Sequence, residues 1–172
     1  MRAIILAAGI GSRLGNPRPK PLTQLSNGEM IMERQIDALQ KFMSIDDILV
    51  VIGFKKDLIM EEFPDLTYIF NNIYDRTNTS KSLLRALKKV RSDDVIWLNG
   101  DVVFDSEVLA RLVKSETSCM AVNTASVGEE EVKYIVAEDG SIKEVSKTVT
   151  NALGESVGAN KIIGQDIPLL IE

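Results

Sequence analysis

A glycine-rich segment near the start of the chain is followed by a lysine held between prolines. Residues 7–15 read AAGIGSRLG, and Lys20 lies in PRPKPL, residues 17–22. Glycines let the backbone approach an anion and point N–H groups at it, and Arg13 adds positive charge. The prolines stiffen the backbone around Lys20, which suits a lysine that faces developing charge. These residue types predict a phosphate-binding loop.

Two common phosphate loops do not fit this spacing. A Walker A loop ends in Gly-Lys-Ser/Thr, and a dinucleotide fingerprint needs glycine where Leu14 stands. The glycines alone are explained at least as well by a turn followed by a solvated basic loop. Their combination with Arg13 and Lys20 favours the phosphate site.

A carboxylate that follows the apolar run VIWLNG is a candidate metal ligand. Asp101 comes directly after Gly100 at the expected end of a strand, where ligands of α/β sheets gather. Mg²⁺ usually takes one or two protein carboxylates beside phosphate oxygens and water. Asp101 is therefore predicted to hold Mg²⁺, although a strand-end aspartate can also satisfy turn amides. Asp105 is a weaker candidate, because Asp-Ser-Glu before a helical pattern reads more simply as an N-cap.

A polar segment, NNIYDRTNTSKSL (residues 71–83), lies between a predicted strand and a predicted helix. Its amides and hydroxyls could read a base or an acceptor head group. Thr79 or Ser80 is predicted to cap the helix. Tyr74 and the pair Thr77-Asn78 are harder to assign to capping, so they are candidates for ligand contact.

Composition excludes several classes of protein. The 172 residues suffice for one compact domain, 1–172, and the net charge of −5 argues against a broad grip on nucleic acid or an anionic membrane. The absence of histidine excludes histidine triads, histidine-ligated zinc and histidine bases. A single Cys119 permits neither a disulfide within the chain nor a thiolate cluster and fits a reducing cytoplasm. The apolar start, AIILAAG, is too short to span a membrane.

Short apolar runs alternate with helical patterns along most of the chain, which predicts an α/β, doubly wound and mostly parallel sheet with helices on both faces. The final run, IPLLIE, carries no stop signal, which leaves open a chain shortened at its C-terminus or an unusual edge strand. Five strands read as buried on both faces: 2–8, 48–52, 67–70, 95–98 and 119–122. The predicted helices are 30–43, 58–63, 80–90 and 105–114. A hairpin of 134–137 and 142–145 is predicted as a small antiparallel appendage.

The runs AIILAAGIGSRLG, PKPL and LNGDVVF closely resemble the signatures of the sugar-nucleotidyltransferase superfamily. The resemblance implies a Rossmann-like fold and transfer of a nucleoside monophosphate from an NTP to a phosphorylated acceptor, with release of pyrophosphate. It implies that Arg13 and Lys20 neutralise the triphosphate and the transition state and that Asp101 binds the catalytic Mg²⁺. The family's second metal-binding aspartate has no convincing match before Glu172, so either the chain is shortened or the metal site departs from the pattern. The implied nucleotide-binding residues are Leu6, Ala7, Ala8, Gly9, Gly11, Ser12, Arg13, Lys20, Thr77, Asn78, Ser82 and Gly100.

Segment 71–83 resembles the phosphocholine-cytidylyltransferase-like branch, which activates small phosphorylated alcohols for surface polysaccharides. That likeness favours CTP and an acceptor such as phosphocholine, with Asn72 and Tyr74 at the acceptor. Weaker likenesses in residues 144–147 and 155–158 add Lys147 and Glu155 to the acceptor site. Enzymes that make NDP-sugars from sugar 1-phosphates share the other motifs and stay open as an alternative.

The absence of histidine does not conflict with this chemistry. A phosphate monoester has its second pKa near 6, so the acceptor is already an anionic nucleophile at neutral pH. Positioning and charge neutralisation can then supply the catalysis. A nucleotide-sensing module without chemistry remains a rival, and the sequence leaves the oligomeric state open. A nicotinamide-dependent oxidoreductase is disfavoured, because Leu14 stands where a dinucleotide fingerprint requires glycine.

Overall fold

The computed structural model describes residues 1–11, 18–90, 92–125 and 127–171. Four parallel strands form the centre of one sheet: β1 (Arg2–Ala7), β2 (Ile48–Ile52), β3 (Thr67–Phe70) and β4 (Val95–Asn99). Their order across the sheet is β3-β2-β1-β4. Branched apolar side chains are the commonest in β1, β2 and β4 and suit a pleated, buried surface.

The second half of the sheet is antiparallel and more integrated than the sequence predicted. β8 (Gly154–Ile162) lies beside β4, pairing Leu98 with Ala159, and β5 (Cys119–Asn123) pairs with the opposite edge of β8. β8 is therefore a central strand of the sheet, a place that the apolar patterns of the sequence did not indicate. Its polar residues hid this role, because apolar runs predict buried strands best.

The predicted hairpin is confirmed, with β6 (Lys133–Val136) and β7 (Ile142–Ser146) as its strands. β6 also joins the main sheet by pairing with the first residues of β8. The turn is closed by the side chain of Asp139, whose Oδ1 accepts from the backbone N–H of Ser141 at 2.9 Å. Hydrogen bonds from the Ser141 hydroxyl and backbone hold the pKa of the Asp139 carboxyl below its usual value.

Helices cover both faces, as the alternating pattern predicted. Apolar side chains of α1 (Ile31–Gln40), α2 (Lys56–Glu62) and α4 (Ser106–Lys114) pack on one face of the sheet. α3 (Thr79–Leu87) packs on the other face, together with α5 (Ile167–Ile171). Two cores therefore sandwich the strands. The predicted ends differ from these bounds by up to three residues, because helix ends depend on caps and packing.

Two strands are less buried than their apolar sequences predicted. β3 is at one end of the sheet, where Thr67 and Phe70 are exposed, and β5 has no residue that is fully buried. Apolar character marks a strand but does not show its place in the sheet. The last described residues form α5 and no edge strand. Within the described ranges no helix combines the length and the apolar character needed to cross a membrane.

A buried lysine fastens β8 to the rest of the fold. Lys161 is 5% exposed, and its Nζ donates to the carbonyls of Val113 and Ser115 at 3.2 and 2.6 Å, next to the end of α4. The same Nζ lies 3.3 Å from Oδ2 of Asp94. The backbone N–H of Gly164 and then Lys161 hold the pKa of the Asp94 carboxyl below its usual value.

Candidate active site

The carboxyl ends of β1 and β4 meet at one edge of the sheet and begin the site. Leu6 pairs with Asn99, and the N–H of Gly100 donates to the carbonyl of Leu6 at 3.0 Å. A Cβ at Gly100 would lie 2.9 Å from that carbonyl oxygen and 3.0 Å from Cγ of Pro21. Glycine is therefore required at this position for β4 to pass so close to the first loop.

Lys20 and Asp101 meet across this crevice. Nζ of Lys20 donates to Oδ2 of Asp101 at 3.0 Å, although the residues are 81 positions apart. Lys20 begins a short 3₁₀ helix, residues 20–22, in which Pro21 and Leu22 are buried and anchor the backbone. The aliphatic stem of Lys20 lies against Gly11, where φ is 64° and a Cβ would come within 3.0 Å of Cγ of Lys20. The first loop, the lysine and the acid thus form one constellation.

A cavity of about 350 Å³ opens at these strand ends. Twelve of the predicted site residues line it, and Pro21, Thr79 and Asn99 line it as well. The predicted residues are Leu6, Ala7, Ala8, Gly9, Gly11, Lys20, Tyr74, Thr77, Asn78, Ser82, Gly100 and Asp101. Ser12 and Arg13 lie outside the described residues. The cavity therefore unites the glycine loop, the Lys20–Asp101 pair and the polar segment.

Asn71 organises the polar wall, although the sequence marked it only as the first residue of the polar segment 71–83. It is fully buried, and its Nδ2 donates to Oγ1 of Thr77 and Oγ of Ser82, each at 3.0 Å. Its Oδ1 accepts from the N–H of Ile73 at 3.2 Å. Because the Ser82 hydroxyl accepts from Asn71, its own proton is available for a ligand in the cavity. An asparagine directly after a predicted strand was the available signal.

Capping in this segment differs from the prediction. The N-cap of α3 is Asn78, whose Oδ1 accepts from the N–H of Lys81 at 3.2 Å, and neither Thr79 nor Ser80 fills that position. Asparagine is among the preferred N-cap residues. Thr77 also has a structural bond, since its hydroxyl donates to the carbonyl of Ile73 at 2.9 Å. Asp105 caps α4 as predicted, accepting from the N–H of Glu107 at 2.9 Å.

Gln35 supports the loop that carries Asp101, and the sequence did not indicate this role. It lies on α1, is 2% exposed, and donates from Nε2 to the carbonyls of Asn99 and Val102 at 2.9 and 2.7 Å. These two carbonyls flank Gly100 and Asp101. No hydrogen-bond partner for Oε1 of Gln35 exists among the described residues. Because a buried amide group donates both of its hydrogens to carbonyls of this loop, the conformation of residues 99–102 is closely specified.

Three predicted acceptor residues do not line the cavity. Asn72 is exposed beside the loop. Nζ of Lys147 lies 3.3 Å from Oε2 of Glu130, and Oε1 of Glu155 accepts from Nδ2 of Asn123 at 3.1 Å. Their assignment to an acceptor site stays a prediction. Tyr74 does line the cavity, packed against Gly53, where a Cβ would lie 2.6 Å from the Tyr74 Cβ.

The donor set at Asp101 fits a magnesium ion that shares its shell with phosphate. In the part of the chain that the structure describes, no three Cys, Asp or Glu side chains converge as a protein cage. Mg²⁺ rarely needs such a cage, because waters and substrate phosphates complete its six ligands. One carboxylate at the mouth of a cavity with a glycine loop is compatible with that arrangement.

Comparison with known proteins agrees with the geometry. A bifunctional protein GlmU from Francisella philomiragia is 34% identical over 128 residues, covering 74% of this chain and 28% of that protein. A CMP-5'-(3-aminopropyl)phosphonate synthase from Streptomyces rubellomurinus is 35% identical over 131 residues, covering 70% of this chain and 20% of that protein. The chain thus matches less than a third of the length of either relative.

A solved structure shows the same fold at low sequence identity. The CTP:phosphocholine cytidylyltransferase LicC from Streptococcus pneumoniae superposes with a TM-score of 0.71 at 21% identity, covering 99% of this chain and 74% of that one. The expected Rossmann-like fold is thereby confirmed. The model of the MobA-like NTP transferase domain matches residues 3–165, nearly the whole sequence. The chain therefore belongs to the family of MobA-like NTP transferase domains.

Proposed function

We propose that this domain transfers a nucleoside monophosphate from an NTP to a small phosphorylated acceptor and releases pyrophosphate. CTP is the favoured donor, and phosphocholine or a related phospho-alcohol is the favoured acceptor. The observation that carries the proposal is the 3.0 Å contact of Lys20 with Asp101 beside the glycine-lined cavity. A cation and an acid at the carboxyl ends of parallel strands suit a magnesium-bound triphosphate.

In this mechanism the acceptor phosphate attacks the α-phosphorus without help from a protein base. Its second ionisation is complete enough at neutral pH to make it a nucleophile. The protein must hold two mutually repelling phosphates in line, which is the task of the amides at residues 9–11 and of Lys20. Arg13 would add a second cation from the same loop. No covalent intermediate is required.

Lys20 can leave the Asp101 carboxylate for another anion at a small cost in free energy. The Lys20 and Asp101 side chains are 31% and 44% exposed, and an exposed ion pair contributes only about 0–1 kcal/mol. A phosphate oxygen can therefore replace the Asp101 carboxylate as the partner of Nζ. Mg²⁺ held by Asp101 and phosphate oxygens would supply further positive charge at the α-phosphate and the leaving pyrophosphate. Lys20 then stabilises charge that grows in the transition state.

The names of two similar proteins support cytidylyl transfer to a small phosphorus-containing acceptor. One relative is called a CMP-5'-(3-aminopropyl)phosphonate synthase, and the similar structure is a CTP:phosphocholine cytidylyltransferase. The cavity wall of Thr77, Asn78 and Ser82 offers hydroxyl and amide groups for a base. The similarity to GlmU favours a second candidate, an NDP-sugar synthesis from a sugar 1-phosphate.

Pyrophosphate release by the purified protein tests the proposal. Each of CTP, UTP, GTP, dTTP and ATP would be combined with phosphocholine, other phospho-alcohols and several sugar 1-phosphates, with Mg²⁺ present. Turnover is expected with CTP and a phospho-alcohol. Turnover only with a sugar 1-phosphate would select the second candidate. Nucleotide binding without turnover across the whole panel would refute transfer and favour a nucleotide sensor.

Two substitutions test the roles assigned to Lys20 and Asp101, with whichever pair of substrates gives turnover. Lys20→Ala should lower kcat at least about a hundredfold, the usual scale for loss of a preorganised charge partner. Asp101→Ala should abolish Mg²⁺-dependent turnover while circular dichroism shows an intact fold. Lys143→Ala is the control, because Lys143 is an exposed residue of β7 that does not line the cavity. A nearly normal rate in Lys20→Ala would remove that residue from the mechanism.

A further inference from the structure

β3 is a short terminal strand whose outer edge carries no charge, proline or bulge of its own. Within the described part of the chain it pairs only with β2, and the N–H of Asn71 donates to the carbonyl of Ile52 at 2.8 Å. Alternation along the strand therefore directs the backbone groups of Tyr68 and Phe70 to the free edge. Proteins usually guard such edges with charges, prolines or bulges. The four residues of β3, TYIF, contain no charge and no proline, and the pairing with β2 is regular.

A groove of about 1100 Å³ runs between this edge and α3. Three consecutive β3 residues, 68–70, line it, as expected for a groove along a strand edge. Phe70 and Ile73 give it an apolar surface and are 48% and 42% exposed. Of the residues that the structure describes, no acidic side chain lines the groove, but five cations do: Arg76, Lys81, Arg85, Lys88 and Lys89.

Most of these cations have no acidic partner in the part of the chain that the structure describes. Among the described residues, no carboxylate lies within 4 Å of Lys81, Arg85, Lys88 or Lys89, and Arg76 approaches only its neighbour Asp75, at 3.7 Å. The chain as a whole carries a net charge of −5, so the charge of this cluster is opposite in sign to the net charge. A local field of this sign selects an anionic partner.

The spacing of the cations matches an extended chain. Lys81 and Arg85 are one helical turn apart, about 6 Å along α3, and Lys88 is about 4.5 Å further. Alternate side chains of a β-strand are about 6.5–7 Å apart on one face. Carboxylates at every second position of an added strand could therefore meet successive cations of α3. The intervening side chains would face the side of the sheet on which Lys56 of α2 covers the Phe70 ring.

We propose that the groove binds an extended acidic polypeptide segment, which adds a strand to the free edge of β3. Main-chain hydrogen bonds to Tyr68 and Phe70 would supply affinity, and the cations of α3 would select acidic side chains. A second copy of this chain pairing edge to edge would bring like charges together, which disfavours that occupant. A compact phosphate compound would leave the strand edge unpaired. The proposal does not depend on nucleotidyl transfer.

Synthetic peptides test the strand addition directly. The probe is an eight-residue peptide of alternating glutamate and valine, capped at both ends, and binding is measured by fluorescence anisotropy at low and at physiological salt. Saturable binding that weakens with salt is expected. The same peptide N-methylated at every second residue, on the edge that would face β3, should bind at least about tenfold more weakly, because it cannot donate to the strand. On binding of the unmodified probe, amide hydrogen exchange should slow at Tyr68 and Phe70.

Charge reversal on α3 supplies the second arm. The triple variant Lys81→Glu, Arg85→Glu and Lys88→Glu should weaken binding at least about tenfold. Its matched control reverses the exposed Lys41, Lys114 and Lys143, which changes the net charge equally and should leave binding unchanged. Thermal melts establish that both variants are folded.

Four outcomes would overturn the proposal. They are no binding of the acidic probe, equal binding of its N-methylated form, no protection at the two β3 amides, and tighter binding of tripolyphosphate or a short oligonucleotide. Concentration-dependent dimerisation through β3 would assign the edge to a second copy instead. Pyrophosphate release is measured separately, so failure of the peptide arm leaves the enzymatic proposal intact.

Discussion

Replacement of Gln35 by leucine should separate catalysis from stability. Gln35 does not line the cavity, yet both of its amide hydrogens go to the carbonyls that flank Gly100 and Asp101. Leucine has a similar volume and removes both donors without adding charge. The Asp101 loop would then lose its support from α1, while the β4 ladder would remain.

The expected loss of stability is small. Two lost hydrogen bonds cost about 1 kcal/mol each, and removal of Oε1, which has no partner among the described residues, returns about 1 kcal/mol. A net change of about 1 kcal/mol corresponds to a decrease in Tm of about 2–4 °C for a chain of this size. The catalytic effect should be larger. Misplacement of a catalytic group by about 1 Å can cost about a hundredfold, so we expect kcat to fall by about tenfold to a hundredfold.

The assay is pyrophosphate release at a temperature at which thermal melts show both proteins folded. Mg²⁺ is titrated at saturating substrates, and the variant should need a higher Mg²⁺ concentration for half-maximal rate. Gln35→Glu should be worse than Gln35→Leu, because an oxygen would then face the two carbonyls. Arg34→Leu is the matched control, since Arg34 is the exposed neighbour on α1 and contacts Glu29 instead.

An unchanged kcat and Mg²⁺ requirement in a folded Gln35→Leu protein would show that Gln35 does not support catalysis. Loss of activity that followed the unfolded fraction as temperature rises would show that Gln35 acts only on stability. A similar loss in Arg34→Leu would show that α1 tolerates no change and that the loop contacts are not the cause.

Asn71→Ala should lower the free energy of unfolding by about 2–3 kcal/mol, measured by urea denaturation, because it removes three hydrogen bonds of a buried side chain. At temperatures where it is folded, KM for the nucleotide should rise more than kcat falls, and an unchanged KM would remove this wall from nucleotide binding. Asp94→Asn should make the free energy of unfolding fall less steeply as the pH is lowered, measured between pH 7 and pH 3. The pKa of Asp94 is lowered in the fold, so its contribution is present above the unfolded value near 3.9 and is lost as pH falls through the folded value. An unchanged dependence on pH would show that the contacts of Asp94 with Gly164 and Lys161 do not make stability depend on pH.

Local signals in the sequence predicted much of the fold correctly. The four parallel strands, four helices and the hairpin were located because apolar periodicity and turn residues act over a few neighbouring positions. The capping role of Asp105 was predictable for the same reason. The N-cap of α3 was not, since asparagine, threonine and serine follow one another and any of them can cap a helix.

The place of β8 in the sheet could not be read from the sequence. Its residues are largely small or polar, and one of them is Lys161, which is buried because the carbonyls at the end of α4 and Asp94 satisfy its charge. Burial of a lysine depends on partners that are distant along the chain. No pattern within β8 itself contains that information.

The sequence by itself determined which residue types could bind a triphosphate, because the glycines, Lys20 and Asp101 lie in short recognisable runs. Only the tertiary structure decided that Lys20 and Asp101 meet at 3.0 Å and that Asn71 and Gln35 hold the two sides of the cavity. The physical reason is that motifs are local properties of the chain. A contact across 81 positions, and the supporting hydrogen bonds of a buried amide, exist only after the strands have assembled side by side.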